Sequence, residues 1–429
     1  MLERETTQLA AAVRSAVTTH RREHPDIVRQ LVWVRRRDHS LKYSTDFGFA
    51  NVLPERFEKD DWDWRDYQEF HESAIKTIQE YQVLLSAIGP AIEPFAHHVA
   101  SASFSGLTDA ELAEIVTAFG CQIEGRTLPV KVTGFISGLT IEDSPFVVSD
   151  YFTLRAPTVQ DVTHQVLIDE YGDRSLPTRE TWFSVIGEFI NNAVNIGPAQ
   201  VQFVRAIAAL CLFRVGGVSA SRYEMSSRHS FGQGEGILSG VSGFSRFSYQ
   251  LSPSDASILG TFLSDVVSLL PDPFQLQSVM KERDIAYVRY RDALFQTGPV
   301  ERVITSAIAA LEALFLQAEP ELTHRLAQRV SVFLRVLGTQ PNASATYERV
   351  RRGYKIRSIF SHGGSLKPKD RSEAEVIMPS VVEYARECVL AFFQIETPKS
   401  SLLQQLDLAM IDPTTLSDVE ASLVTVKHR

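Results

Sequence analysis

Cysteine is scarce in this chain, with only Cys121, Cys211 and Cys388 among 429 residues. They are far apart and odd in number, which argues against a disulfide framework or a cysteine zinc cage. Long apolar runs are missing too. The most apolar stretch, Phe203 to Phe213, is interrupted by Arg205 and falls short of membrane-spanning length. The opening Met1-Leu2-Glu3-Arg4-Glu5 carries acid and lacks the apolar core of a signal peptide. No internal repeat is evident. These absences lead us to expect a cytoplasmic protein with no membrane partner.

What is present is the composition of a folded protein, 44% hydrophobic and 22% charged. Its length calls for two or three domains. The net charge of −9 argues against a surface that binds nucleic acid indiscriminately. The charge is uneven, however. Residues 281 to 397 hold 17 basic and 14 acidic side chains, and the remainder hold 26 and 38. A slightly positive region in an acidic chain is the distribution expected when one domain alone faces an anionic partner.

The chain divides into four stretches. Residues 1 to 120 read as mostly helical, with a long helix expected from Asp66 to about Ser101, behind Trp62 and Trp64. Thr108-Asp109-Ala110-Glu111 is a capping box opening an amphipathic helix with Leu112 and Ile115 on one face. From 121 to 270 the pattern is that of a mixed α/β domain, suited to sensing or regulation. Pro129 to Ile136 alternates like a half-buried strand, and Pro145 to Val148 and Tyr151 to Leu154 follow it. Leu212 to Val215 and Phe244 to Leu251 read as further strands, while Val201 to Cys211 fits helix or strand. Phe231-Gly232-Gln233-Gly234-Glu235-Gly236, with Gly240 and Gly243 beyond, lacks a lysine in Walker position and reads as a mobile loop.

Ser252 is expected to cap a helix with Pro253 in its first turn. Pro271-Asp272-Pro273 then breaks the chain. Residues 275 to 397 read as an all-α bundle of helices at Val279 to Gln296, Pro299 to Leu316, Pro320 to Leu337, Ala343 to Ser361 and Arg371 to Glu396. The second is apolar nearly all round, as the central helix of a bundle should be. Residues 398 to 429 read as an appended tail. The expected fold class is α+β, a helical segment and mixed domain followed by the bundle.

Chemistry concentrates at the end of the fourth bundle helix, Tyr354-Lys355-Ile356-Arg357-Ser358-Ile359-Phe360-Ser361-His362-Gly363-Gly364. Tyr347, Val350, Tyr354 and Arg357 follow helical spacing along one stripe, so Arg357 shares an apolar face while Arg351, Arg352 and Lys355 point elsewhere. Gly363-Gly364 ends the helix, leaving His362 where the chain turns. A guanidinium grips phosphate through paired hydrogen bonds, and an imidazole exchanges protons near neutral pH. Together they suffice, with no cofactor, for cutting RNA beside its 2′-hydroxyl. Arg349, Arg351, Arg352 and Lys355 form an acid-free run that either tracks an RNA backbone or is a solvated helix face. A purely structural reading competes: Arg357 pairs with a buried acid, Glu312 being the obvious one, and His362 is a cation favoured at a helix C-terminus.

Ala310-Leu311-Glu312-Ala313-Leu314-Phe315, then Glu321-Leu322-Thr323-His324-Arg325-Leu326-Ala327, then Tyr354-x2-Arg357-Ser358-x3-His362-Gly363-Gly364 occur in a telling order. In order and rough spacing these resemble the HEPN ribonucleases, and within them the Apea-like group of bacterial defence proteins. The resemblance covers about residues 280 to 397. A weaker likeness runs upstream through Gly134-Phe135 and Phe213-Arg214-Val215-Gly216-Gly217. Ser358 stands where many HEPN nucleases carry Asn, Asp or His, although serine is usual in the Apea-like group.

The resemblance implies a metal-independent endoribonuclease acting in anti-phage defence or abortive infection. Arg357 and His362 would be its catalytic pair, with Ser358, Tyr354 and Glu312 in support. The implied partners are host or phage RNA, tRNA included, and a second copy of the chain in a homodimer or higher even-numbered oligomer joined through the bundle. Two alternatives stand beside it. One is a non-catalytic HEPN module for RNA binding or dimerisation. The other is a zinc peptidase, since His20-Arg21-Arg22-Glu23-His24 matches H-x-x-E-H, although that stretch is wholly polar, meets Pro25 at once and has no evident third ligand.

Overall fold

The structure is a computed structural model describing residues 2–23, 95–96, 98–99, 103, 107–158, 161, 184–193, 196–226, 236–239, 245–271, 281–317, 322–423 and 426. Trp62, Trp64, most of the helix expected from Asp66 to Ser101, and the glycine-dense loop before Gly236 lie outside these residues. No helix among the described residues is long and apolar enough to cross a membrane.

Helix α1 (Leu2–Glu23) lies against α2 (Asp109–Ile123), joined by Arg14 to Asp109 at 2.6 Å. The expected capping box opens α2. The Glu111 amide donates to Thr108 Oγ1, and the Thr108 amide donates to the Glu111 carboxylate. Leu112 and Ile115 are both buried, as the spacing requires.

The strands are β1 (Leu128–Ser137), β2 (Leu139–Ile141), β3 (Phe146–Ser149), β4 (Phe152–Arg155), β5 (Val185–Ala193), β6 (Ser219–Ser226), β7 (Gly236–Ser239) and β8 (Tyr249–Leu251). Six of them form an antiparallel sheet in the order β3-β4-β5-β1-β6-β7, while β2 and β8 pair in parallel. Helix α3 (Ile196–Phe213) packs across β1, β5 and β6. Gly134 in mid-strand makes room for Phe203, because a Cβ there would lie 2.3 Å from the phenyl ring.

Three local expectations need correction, the first being that the strand read at Phe244 to Leu251 is only Tyr249–Leu251 among the described residues. Leu212 and Phe213 are the last turn of α3, and Arg214-Val215 is a turn, so no strand forms at Leu212 to Val215. A continuous apolar run does not distinguish a buried helix from a buried strand, and length decides in favour of the helix. Ser252 does not cap a helix either. Helix α4 (Asp255–Val266) begins later, and the Asp255 carboxylate accepts from the Ser252 amide (2.9 Å) and hydroxyl (3.0 Å). Asp255 also receives both guanidinium arms of Arg214. Burial alone would raise this carboxyl, but the Ser252 and Arg214 hydrogen bonds hold it below the ordinary carboxylate range.

The bundle comprises α5 (Glu282–Leu294), α6 (Val300–Phe315), α7 (Leu322–Val336), α8 (Ala343–Ser361) and α9 (Pro368–Gln394). Helix α6 is the central one, packing against α5, α7, α8 and α9 with Val303, Ile304, Ala307, Ile308, Leu311 and Leu314 buried. Gly353 lets α8 approach it closely, since a Cβ there would sit 2.9 Å from Ile308 Cδ1. The stretch after Pro398, read as appended, forms α10 (Lys399–Ala409) and α11 (Pro413–Leu423), both of which pack on α7. Buried Arg329 fastens α10, with both arms on Asp407 at 2.7 Å and a further bond to the Phe315 carbonyl at 2.8 Å. The architecture is α+β, and one hydrophobic core runs through the sheet layer and the bundle.

Candidate functional site

Helix α8 carries most of the expected site. Asn342 caps it, its Oδ1 accepting from the Ala345 amide at 3.0 Å. The face turned to the core is Thr346, Val350, Gly353 and Ile356. Tyr347 and Tyr354 lie half-buried beside that face, and Arg357, in line with Val350 and Gly353, is half-buried near the helix end.

There Arg357 Nη2 meets Glu312 of α6 at 3.1 Å, and its guanidinium lies over the Tyr354 ring, 5.7 Å from the centroid. The acid proposed for Arg357 on the structural reading is thus its partner. Burial pushes the Glu312 carboxyl above its ordinary range, outweighing the downward pull of Arg357. Burial likewise raises the Tyr354 hydroxyl, with Glu312 adding to the effect and Arg357 opposing it.

The helix ends as the sequence predicts. Gly363 is left-handed at φ 76°, its amide donates to the Phe360 carbonyl (3.0 Å), and the Gly364 amide donates to the Ile359 carbonyl (2.9 Å). These two bonds make a Schellman turn, which satisfies carbonyls that a bare helix end leaves open. His362 is the cap residue, exposed, its amide bonded to the Ser358 carbonyl at 3.2 Å. Among the described residues its imidazole engages no hydrogen bond or ion pair. Glu312, Tyr354 and Arg357 are therefore brought together. Ser358, about 100° round the helix from Arg357, and His362 lie on the adjoining outward side.

The basic run is divided by its neighbours. Arg349 donates to the Tyr384 hydroxyl at 2.9 Å, and Arg352 is held by Asp370 (2.7 Å) and Glu373 (2.5 Å) of α9. Among the described residues Arg351 pairs only with Glu348 on its own helix, at 2.7 Å and with both side chains more than half exposed. Lys355 is exposed and has no acidic partner among the described residues. The run is acid-free along the chain but not in space, because the first turns of α9 supply the acids. Sequence reasoning also missed that His324 of α7 bonds the Tyr347 hydroxyl through Nδ1 at 2.9 Å. Both residues were visible in the sequence, but nothing in their spacing linked them.

His24 of the zinc-peptidase motif lies outside the described residues, as do the side chains of His20 and Glu23. The described residues contain no group of three His, Cys, Asp or Glu side chains able to hold a metal. Compared with known proteins, the chain matches no family model, no curated protein and no solved structure.

Proposed function

We propose that the protein is a metal-independent endoribonuclease of the HEPN type, acting on RNA in anti-phage defence, with Arg357 and His362 as its catalytic pair. The observation that carries this reading is the end of α8. A half-exposed guanidinium is steadied by Glu312 and Tyr354, and one turn further an exposed imidazole is set on a Schellman turn.

On this reading the 2′-oxygen of RNA attacks the adjacent phosphorus as His362 takes its proton. The bond from phosphorus to the 5′-oxygen breaks, and that oxygen leaves with a proton from an imidazolium. The products are a 2′,3′-cyclic phosphate and a 5′-hydroxyl. Arg357 turns from Glu312 to the scissile phosphate and stabilises charge growing on its oxygens. Ser358 orients one of those oxygens by hydrogen bonding. Two copies of the chain in a homodimer supply one histidine as base and one as acid.

A non-catalytic module for RNA binding or dimerisation is the second reading, favoured by the Arg357–Glu312 ion pair, which already occupies the guanidinium. Substrate chemistry separates the two. The nuclease cuts an RNA strand and spares the 2′-deoxy strand of the same sequence, which lacks the attacking hydroxyl. Cleavage of both strands, or of neither, counts against it.

A further inference from the structure

Tyr347, Arg351, Tyr354, Ser358 and His362 recur at intervals of four, three, four and four along α8. They therefore line up on one outward strip of the helix, with Arg357 at its inner edge. Both tyrosines are only partly buried, resting on the core by one side. Each ring is also held in place. His324 bonds the Tyr347 hydroxyl at 2.9 Å and meets its ring edge-on at 84°, and Arg357 lies over Tyr354. Between the rings stands Arg351, whose exposed pair with Glu348 is cheap to exchange for a phosphate. Lys355 flanks the strip, exposed and without an acidic partner among the described residues.

We propose that this strip is a track for single-stranded RNA, in which the Tyr347 and Tyr354 rings stack bases and Arg351 holds the backbone between them. Seven residues of helix separate the rings by about 10 Å, roughly three times the ~3.4 Å rise of stacked bases. The rings therefore take splayed bases, which a single strand presents and a duplex does not. Aromatic faces interleaved with arginine are sequence-tolerant, so the track positions a strand without reading it. It leads from Tyr347 to His362 and so delivers the strand to the proposed catalytic pair. The inference rests on the nuclease reading for its purpose but not for its test.

The test uses full-length protein carrying His362→Ala, which on that reading prevents turnover, and fluorescence anisotropy with a short labelled single-stranded RNA and its duplex. Tyr347→Leu and Tyr354→Leu are each expected to weaken single-strand binding about 5- to 100-fold, the range of stacking losses. Tyr347→Phe and Tyr354→Phe keep the rings and retain binding, which guards against loss of fold in the leucine variants. Leucine variants that bind like their parent would overturn the track, as would a parent that binds the duplex as tightly as the strand. So would a fall in oligomeric state on sedimentation, which would make the strip a contact between copies of the chain. Ring-dependent binding by a wild type that never cleaves would remove the nuclease and leave the track standing. Cleavage that is unchanged in both leucine variants would do the reverse.

Discussion

Arg386 of α9 donates through Nη1 to the carbonyl oxygen of Leu212, 2.7 Å away in the last turn of α3. Both are buried, and the contact ties the sheet layer to the bundle. The carbonyls of a final helical turn have no partner within the helix. Those of α3 find partners elsewhere: Leu210 accepts from the Tyr249 hydroxyl (2.9 Å), Cys211 from Tyr290 of α5 (2.7 Å) and Leu212 from Arg386. Arg386 uses its remaining arms on Glu383, at 2.9 and 2.5 Å.

Removing this guanidinium leaves a buried carbonyl and a carboxylate without their partner. Arg386→Leu is expected to cost about 3–5 kcal/mol, read as a fall in the urea midpoint of the whole chain. Residues 275–429 expressed alone lose Leu212 and Cys211 together, and should melt broadly with a weak near-ultraviolet signal. A sharp, wild-type-like transition in that fragment would show that the bundle stands by itself.

The turn that carries His362 depends on Gly363 for its positive φ and on Gly364 for space, because a Cβ on Gly364 would lie 2.9 Å from Ile359 Cγ2. Gly363→Ala is expected to cost about 1–2 kcal/mol in stability. On the proposed function it also lowers RNA cleavage well beyond that, by displacing the imidazole. Thermal melts and single-turnover cleavage on the same preparation check both effects. Full cleavage in a destabilised variant would detach the turn from the chemistry.

Glu312 yields a prediction with a definite sign. Its folded pKa is raised, so the stability it contributes is fully present below the unfolded carboxylate pKa and is lost as pH rises through the folded value. Glu312→Gln removes that dependence. The stability of wild type relative to the variant should therefore fall as pH rises above the ordinary carboxylate range, as followed by urea midpoints. A difference that stays flat or rises with pH would mean that the Arg357 ion pair, not burial, dominates at this carboxyl.

Asp407 anchors α10 by accepting both arms of Arg329, whose side chain is 3% exposed. Asp407→Ala leaves that cation buried and is expected to cost about 3 kcal/mol. Hydrogen exchange should show α10 and α11 opening before the rest of the bundle. Unchanged protection there would mean that the apolar contacts of Leu402, Leu403 and Leu406 suffice.

Much of this fold was legible because local signals and burial agree. The Thr108–Glu111 box and the Gly363-Gly364 terminator act within one turn, and helix α8 runs from Ala343 to Ser361 as its periodicity predicts. The apolar circumference of α6 marked it as central for the same reason. Legibility failed where a distant partner decides. Leu212 and Phe213 join a helix because α3 is buried on the sheet. Asp255 is spent on Arg214, and Arg352 on Asp370 and Glu373, and no helical period connects those positions. At the candidate site the Arg357–Glu312 pair was foreseeable, since it needs one basic and one acidic residue on facing helices. The half-exposure of Arg357 was not, because helical period places it in line with buried Val350 and Gly353.

The central claim is tested most directly by incubating the full-length protein with RNA in EDTA, beside His362→Ala, and identifying the product ends. The account predicts cleavage by wild type, 2′,3′-cyclic phosphate and 5′-hydroxyl ends, and no cleavage by the variant. Intact tRNA, rRNA and mRNA with wild type, or equal cleavage by His362→Ala, would contradict it.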